Sequence, residues 1–157
     1  MENPQPKRLF YLLAGIFILF WGILFFLTRL DQSAVTPLSS TGAASLREMA
    51  QQSVPYESAL SNGKPIFVEF YADWCTSCQS LAPSIKQFHE QYGSQVNFVM
   101  LNVDAPQGHQ LVQQYHVKGV PQFFFMRSDH SVVKTLVGRV PESILAQLFE
   151  QLLKPTS

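Results

Sequence analysis

Residues 9–28 contain no charged side chain and lie between Arg8 and Arg29. Twenty helical residues rise about 30 Å, the thickness of a bilayer's hydrocarbon core. A run of that length and polarity predicts a single membrane-spanning helix. Lys7 and Arg8 precede it, and Tyr11 and Trp21 suit its two interfaces. Basic residues stay on the cytoplasmic side. Residues 1–8 are therefore expected in the cytoplasm and everything after Leu30 across the membrane. Arg29 is a weak opposing signal, partly offset by Asp31. A cleaved signal peptide is the alternative, but its apolar region is about 7–15 residues and ends at a small-residue site. Here Arg29, Leu30 and Asp31 follow the run, and Ala43–Ala44 lies far downstream. An uncleaved anchor over residues 9–28 is the expectation.

Residues 29–45 are rich in Ser, Thr, Ala and Pro, with no apolar period, and read as a linker. Residues 46–157 remain for one folded domain of ordinary size. The whole chain has 11 basic and 11 acidic residues. A net charge of zero gives no basic stripe of the kind nucleic-acid binders carry. Within the domain, Leu46 to Leu60 predicts short helical stretches broken by Pro55. Four strands are predicted over Ile66–Tyr71, Val96–Val103, Gln122–Met126 and Val132–Val137. The second is apolar on both faces, as expected of a central buried strand. Leu81, Ile85, Phe88 and Tyr92 share one helical face over Cys78–Tyr92, which Gly93 ends. A short helix is expected over Gln107–His116, and Pro141 opens a last one. The order β-α-β-α-β-β-α predicts an α/β fold, a mixed central sheet with helices on both faces. Only residues 127–131 separate the last two strands, which requires an antiparallel hairpin.

Both cysteines of the chain occur in Trp74-Cys75-Thr76-Ser77-Cys78, between the first strand and its helix. A thiol there meets unpaired backbone N–H groups and the positive end of the helix dipole, which favour thiolate. The spacing brings the second thiol round the first turn toward the first. Cys75, nearer the tip, is expected to attack, and Cys78, one turn in, to resolve the mixed disulfide. A zinc site would need four ligands, and the four histidines show no ligand spacing. Haem attachment needs histidine after the motif, where Gln79 stands. No metal and no cofactor beyond the redox-active Cys75–Cys78 pair is expected. A permanently closed structural disulfide stays open as an alternative, although so short a loop stabilises little.

The sequence Phe70-Tyr71-Ala72-Asp73-Trp74-Cys75-x-x-Cys78, with Pro83, Gly119-Val120-Pro121 and Gly138, resembles the thioredoxin superfamily over roughly Ser58 to Leu153. The anchor, Ser-Asn-Gly-Lys-Pro before the first strand and Leu101-Asn102-Val103-Asp104 are similar to a membrane-anchored branch, the cyanobacterial TxlA group and its thylakoid counterpart. The resemblance implies a thioredoxin-like fold, a cis Val120–Pro121 bond facing the dithiol, and a substrate surface at Trp74, Val120 and Pro121. It also implies a reductant fed by a membrane thiol transporter of the CcdA type. Such a protein serves disulfide-containing proteins in a thylakoid lumen or periplasm, apocytochromes among them.

The chain departs from ordinary thioredoxins at four points. Thr76-Ser77 stands where Gly-Pro is common, Glu69 where a buried aspartate is, Met100 where many have lysine, and Gln122 where threonine is common. Glu69 is expected either as a paired structural acid or as the proton acceptor for Cys78, its pKa raised by burial. A solvated, edge-facing glutamate is the alternative. Asp73 reads as a solvated or capping acid. The expected function is a membrane-anchored thiol–disulfide oxidoreductase acting as a protein-disulfide reductase. Two rivals are a disulfide-donating oxidant and a non-catalytic assembly factor that docks through the same fold.

Overall fold

The computed structural model describes residues 16–22 and 38–154. Residues 16–22 are helical, and Ile16 through Trp21 stand 61–71% exposed. Among the described residues no helix is long and apolar enough to cross a membrane. The expected span 9–28 lies outside the described residues at both ends, as do the expected cytoplasmic residues 1–8 and residues 29–37.

The folded unit begins with α1 (Leu38–Gln52) and α2 (Tyr56–Ser61). Then come β1 (Ile66–Tyr71), α3 (Thr76–Tyr92), β2 (Asn97–Asn102) and α4 (Pro106–Gln114). The chain ends on β3 (Gln122–Met126), β4 (Val132–Val137) and α5 (Glu142–Leu153). The sheet order is β2-β1-β3-β4. β1 pairs parallel with β2 through the α3 crossover and antiparallel with β3. β3 and β4 form the expected hairpin, whose tight turn puts His130 at φ 66° and closes on Asp129, the acceptor from Ser131 N–H and hydroxyl.

All of β1 is buried, so it reads as an apolar run rather than an alternation. Its Phe67 side faces α3 and α5, where Phe149 meets the rings of Phe67, Phe88, Tyr92, Phe98 and Phe125 at 5.1–5.3 Å. Burying five or six aromatic side chains at one hub supplies a large share of the apolar area that stabilises so small a domain. The opposite side carries Ile66, Val68 and Phe70 against Phe124, Ala59 and Leu111. Helices thus cover both faces, and β1 is held rigidly at the centre.

Two expectations change. β2 is an edge strand, not a central one. It is buried because the turn after α1 closes over its rim, with Val54 N–H donating to the Phe98 carbonyl at 2.9 Å. A covered edge and a central position leave the same apolar pattern in sequence. The expected linker also ends early, since α1 is already helical from Leu38. Gly42, Leu46 and Met49 lie at helical spacing and are buried. A Cβ on Gly42 would come within 2.7 Å of Gln79 Cβ, so the small residues read as linker are what let α1 pack backbone-close on α3.

Candidate active site

β1 ends at Tyr71, and the chain turns through Ala72-Asp73-Trp74 into α3. Cys75 N–H donates to the Ala72 carbonyl at 3.1 Å and fixes that turn. Cys75 is the N-cap of α3 in extended conformation, and its Sγ accepts from Cys78 N–H at 3.1 Å. An amide of the first helical turn therefore points at this sulfur, the arrangement that stabilises a thiolate. The two cysteines are disulfide-bonded to each other. Cys75 keeps 6% exposure while Cys78 has none, which places the first sulfur outermost. A dithiol that closes into a disulfide can pass two electrons to another disulfide and take them back.

Trp74 is 66% exposed beside it, held by its indole N–H, which donates to Asp104 Oδ2 at 2.8 Å. An indole kept in solvent by a hydrogen bond is a surface residue rather than a core one. The Val120–Pro121 peptide is cis. Phe70 pairs with Gln122 in the β1–β3 register, so the strand end leading to Cys75 and the residues entering β3 share one end of the sheet. Gly138, at φ 81°, donates its N–H to the Pro121 carbonyl at 2.7 Å and pins that segment from β4. The structure thus gathers Trp74, Cys75, Val120 and Pro121 at one sheet end.

Glu69 lies two residues before the end of β1, wholly buried. Its sheet neighbours are Met100 on β2 and Phe123 on β3, and neither carboxyl oxygen has a hydrogen-bond partner among the described residues. Burial without a partner pushes its pKa up to about 8. Its burial excludes the edge-facing, solvated alternative, and among the described residues no partner makes it a paired acid. Tyr71, on the same strand face, has its phenol pushed up, first by burial and then by the Asp73 charge.

Three participants escaped the sequence. Asp73 is ion-paired with Arg47 of α1, Nε to Oδ2 at 2.8 Å, and its side chain stays partly exposed; the helix cap is Cys75 instead. Gln79 Nε2 donates to the Asp73 carbonyl at 2.6 Å, bracing the loop from the far side of the dithiol. Asp104 orients Trp74. Asp73 and Asp104 each stood in a motif of the sequence, but their pairings with Arg47 and Trp74 did not show there. Among the described residues no group of three or more His, Cys, Asp or Glu side chains is placed to hold a metal ion.

The thioredoxin family model matches residues 47–151. The chain belongs to the thioredoxin family. Within it, the chain is 37% identical over 153 residues to the thiol:disulfide interchange protein TxlA of Synechococcus elongatus, covering 98% of this thioredoxin and 76% of that protein. It is 46% identical over 101 residues to the chloroplastic thioredoxin-like protein HCF164 of Oryza sativa, covering 64% of this chain and 38% of that one. This thioredoxin spans about two fifths of the length of the plant relatives it matches. Among solved structures it is similar to the germline-specific thioredoxin Deadhead of Drosophila melanogaster. That match has a TM-score of 0.53 and 26% identity, over 59% of this chain and 84% of the other.

Proposed function

We propose that this thioredoxin is a membrane-anchored thiol–disulfide oxidoreductase that reduces protein disulfides on the far side of the membrane. The carrying observation is Cys75 at the α3 N-terminus, outermost of a disulfide-forming pair, with cis-Pro121 at the same sheet end. In the reduced protein the Cys75 thiolate attacks a substrate disulfide. One substrate sulfur leaves as thiolate and the other stays bonded to Cys75. In the fraction of molecules whose Glu69 is ionised, Cys78 then gives its proton to that carboxylate and attacks Cys75 Sγ, releasing the second substrate thiolate. Two electrons have passed to the substrate, and the Cys75–Cys78 disulfide remains. An acid with pKa near ambient pH both accepts and returns a proton readily. The backbone beside Pro121 pairs with the substrate chain as an added strand, with Trp74 and Val120 as its apolar walls.

The uncharged run 9–28 and the near full-length alignment with TxlA support an anchor that holds the domain in a thylakoid lumen or periplasm. A reductase there needs its own supply of electrons, which a membrane thiol transporter of the CcdA type provides. Substrates are disulfide-containing proteins, including apocytochromes. No cofactor beyond the dithiol is needed. The test is the reduction potential of the Cys75–Cys78 pair. A value near the roughly −270 mV of reducing thioredoxins supports the reading, and one near −120 mV assigns the chain to disulfide donation instead. Full function in cells of a Cys75→Ser, Cys78→Ser variant would reduce the chain to a docking factor.

A further inference from the structure

α1 touches the active-site loop on both sides of the dithiol. Before it, Arg47 Nε meets Asp73 Oδ2 at 2.8 Å, two residues ahead of Cys75. After it, Gly42 lies against Gln79, the residue following Cys78, at a distance where an added Cβ would reach the Gln79 carbonyl at 2.8 Å. That carbonyl is free for the approach because Pro83, four residues on, has no N–H to offer it. Gln79 in turn donates to the Asp73 carbonyl at 2.6 Å, closing a ring of contacts around the loop. The second carboxyl oxygen of Asp73 is buried with no partner among the described residues, so Arg47 is the cation that answers this charge.

We propose that Arg47 is a positioning residue for the dithiol: by neutralising Asp73 it keeps the Cys75 thiol acidic enough to react. An unanswered carboxylate two residues from the nucleophile disfavours thiolate. The inference rests on Cys75 being the attacking thiol. The other titratable groups around the loop are Tyr71 and Glu69 on β1, whose phenol and carboxyl lie on the same strand face, and Asp104, bound to the Trp74 indole. Among the described residues none of them is ion-paired with Asp73. Glu48, next to Arg47, is taken by Lys86 of α3 at 3.2 Å.

The test is the pH profile of iodoacetamide alkylation of the reduced full chain, with each thiol followed by mass spectrometry. Arg47→Gln should slow Cys75 alkylation at neutral pH by about threefold at low salt and move the profile alkaline, the scale expected of a part-exposed pair. Arg47→Lys should keep the wild-type profile. Asp73→Asn in the Arg47→Gln background should restore it. An Arg47→Gln profile that coincides with wild type overturns the inference, and so does a double variant as slow as the single one, which would make the helix contact purely structural. If Cys78 rather than Cys75 is alkylated in every form, the nucleophile assignment itself fails, a result distinct from both. Arg47 is 63% exposed, so loss of folding does not confound the variants.

Discussion

Two carboxylates lie four residues apart on the way out of β1, and the protein treats them in opposite ways. Glu69 sits inside the sheet between Met100 and Phe123 with no partner for either oxygen. Asp73 sits at the surface turn with an arginine on one oxygen. A proton is the only neutraliser available to the first, a fixed cation serves the second. The difference teaches how a strand and the turn that follows it can carry two acids on the approach to a reactive thiol. One is buried with no partner for either oxygen, and the other is answered by a guanidinium.

The largest break in this comparison is Glu69→Gln. It keeps the shape and removes the titration, so resolution of the mixed disulfide should slow by about 10²-fold. Alkylation of Cys75 should persist. Stopped-flow release of a thiol from a Cys75 mixed disulfide measures this, and an unchanged rate removes Glu69 from the proton path. The same residue governs stability. Its folded pKa is raised to about 8 from 4.5, so the folded state holds a proton that the unfolded chain has lost across that window. Stability should therefore fall as pH rises from about 5 to about 8, by up to about 1.4 kcal/mol per unit. Urea midpoints across this range should show the slope in wild type and lose it in Glu69→Gln.

Met100→Lys would make the buried acid resemble Asp73. The lysine, adjacent in the parallel register, should pull Glu69's pKa down by about 1–3 units and remove most of the alkaline loss of stability. Carbon-detected NMR titration of the carboxyl follows this directly. The smallest effect belongs to the surface pair. Arg47→Gln should cost less than about 1 kcal/mol of stability, because both partners are partly exposed. Its signature is in thiol acidity rather than in the melting temperature.

Much of this was legible in the chain itself. The runs over β1, β3 and β4 are bounded by turn residues and contain Phe, Val, Tyr and Leu, so their limits match the structure. Cys75, Cys78 and the oddity of Glu69 stand out because each breaks a local pattern. The rest was hidden for physical reasons. α1 begins in small polar residues that read as linker, and only the close approach of Gly42 to Gln79 shows why they are small. The Arg47–Asp73 pair joins residues 26 apart, and no periodicity encodes it. The edge position of β2 was masked by the turn that covers its rim.

The central claim is that Cys75 attacks and Cys78 resolves. The direct measurement is trapping by single-cysteine variants, read by non-reducing electrophoresis and mass spectrometry. Cys78→Ser in the full chain should accumulate mixed disulfides to partner proteins through Cys75, and Cys75→Ser should accumulate almost none. Equal trapping by both variants, or trapping through Cys78 alone, would contradict the account.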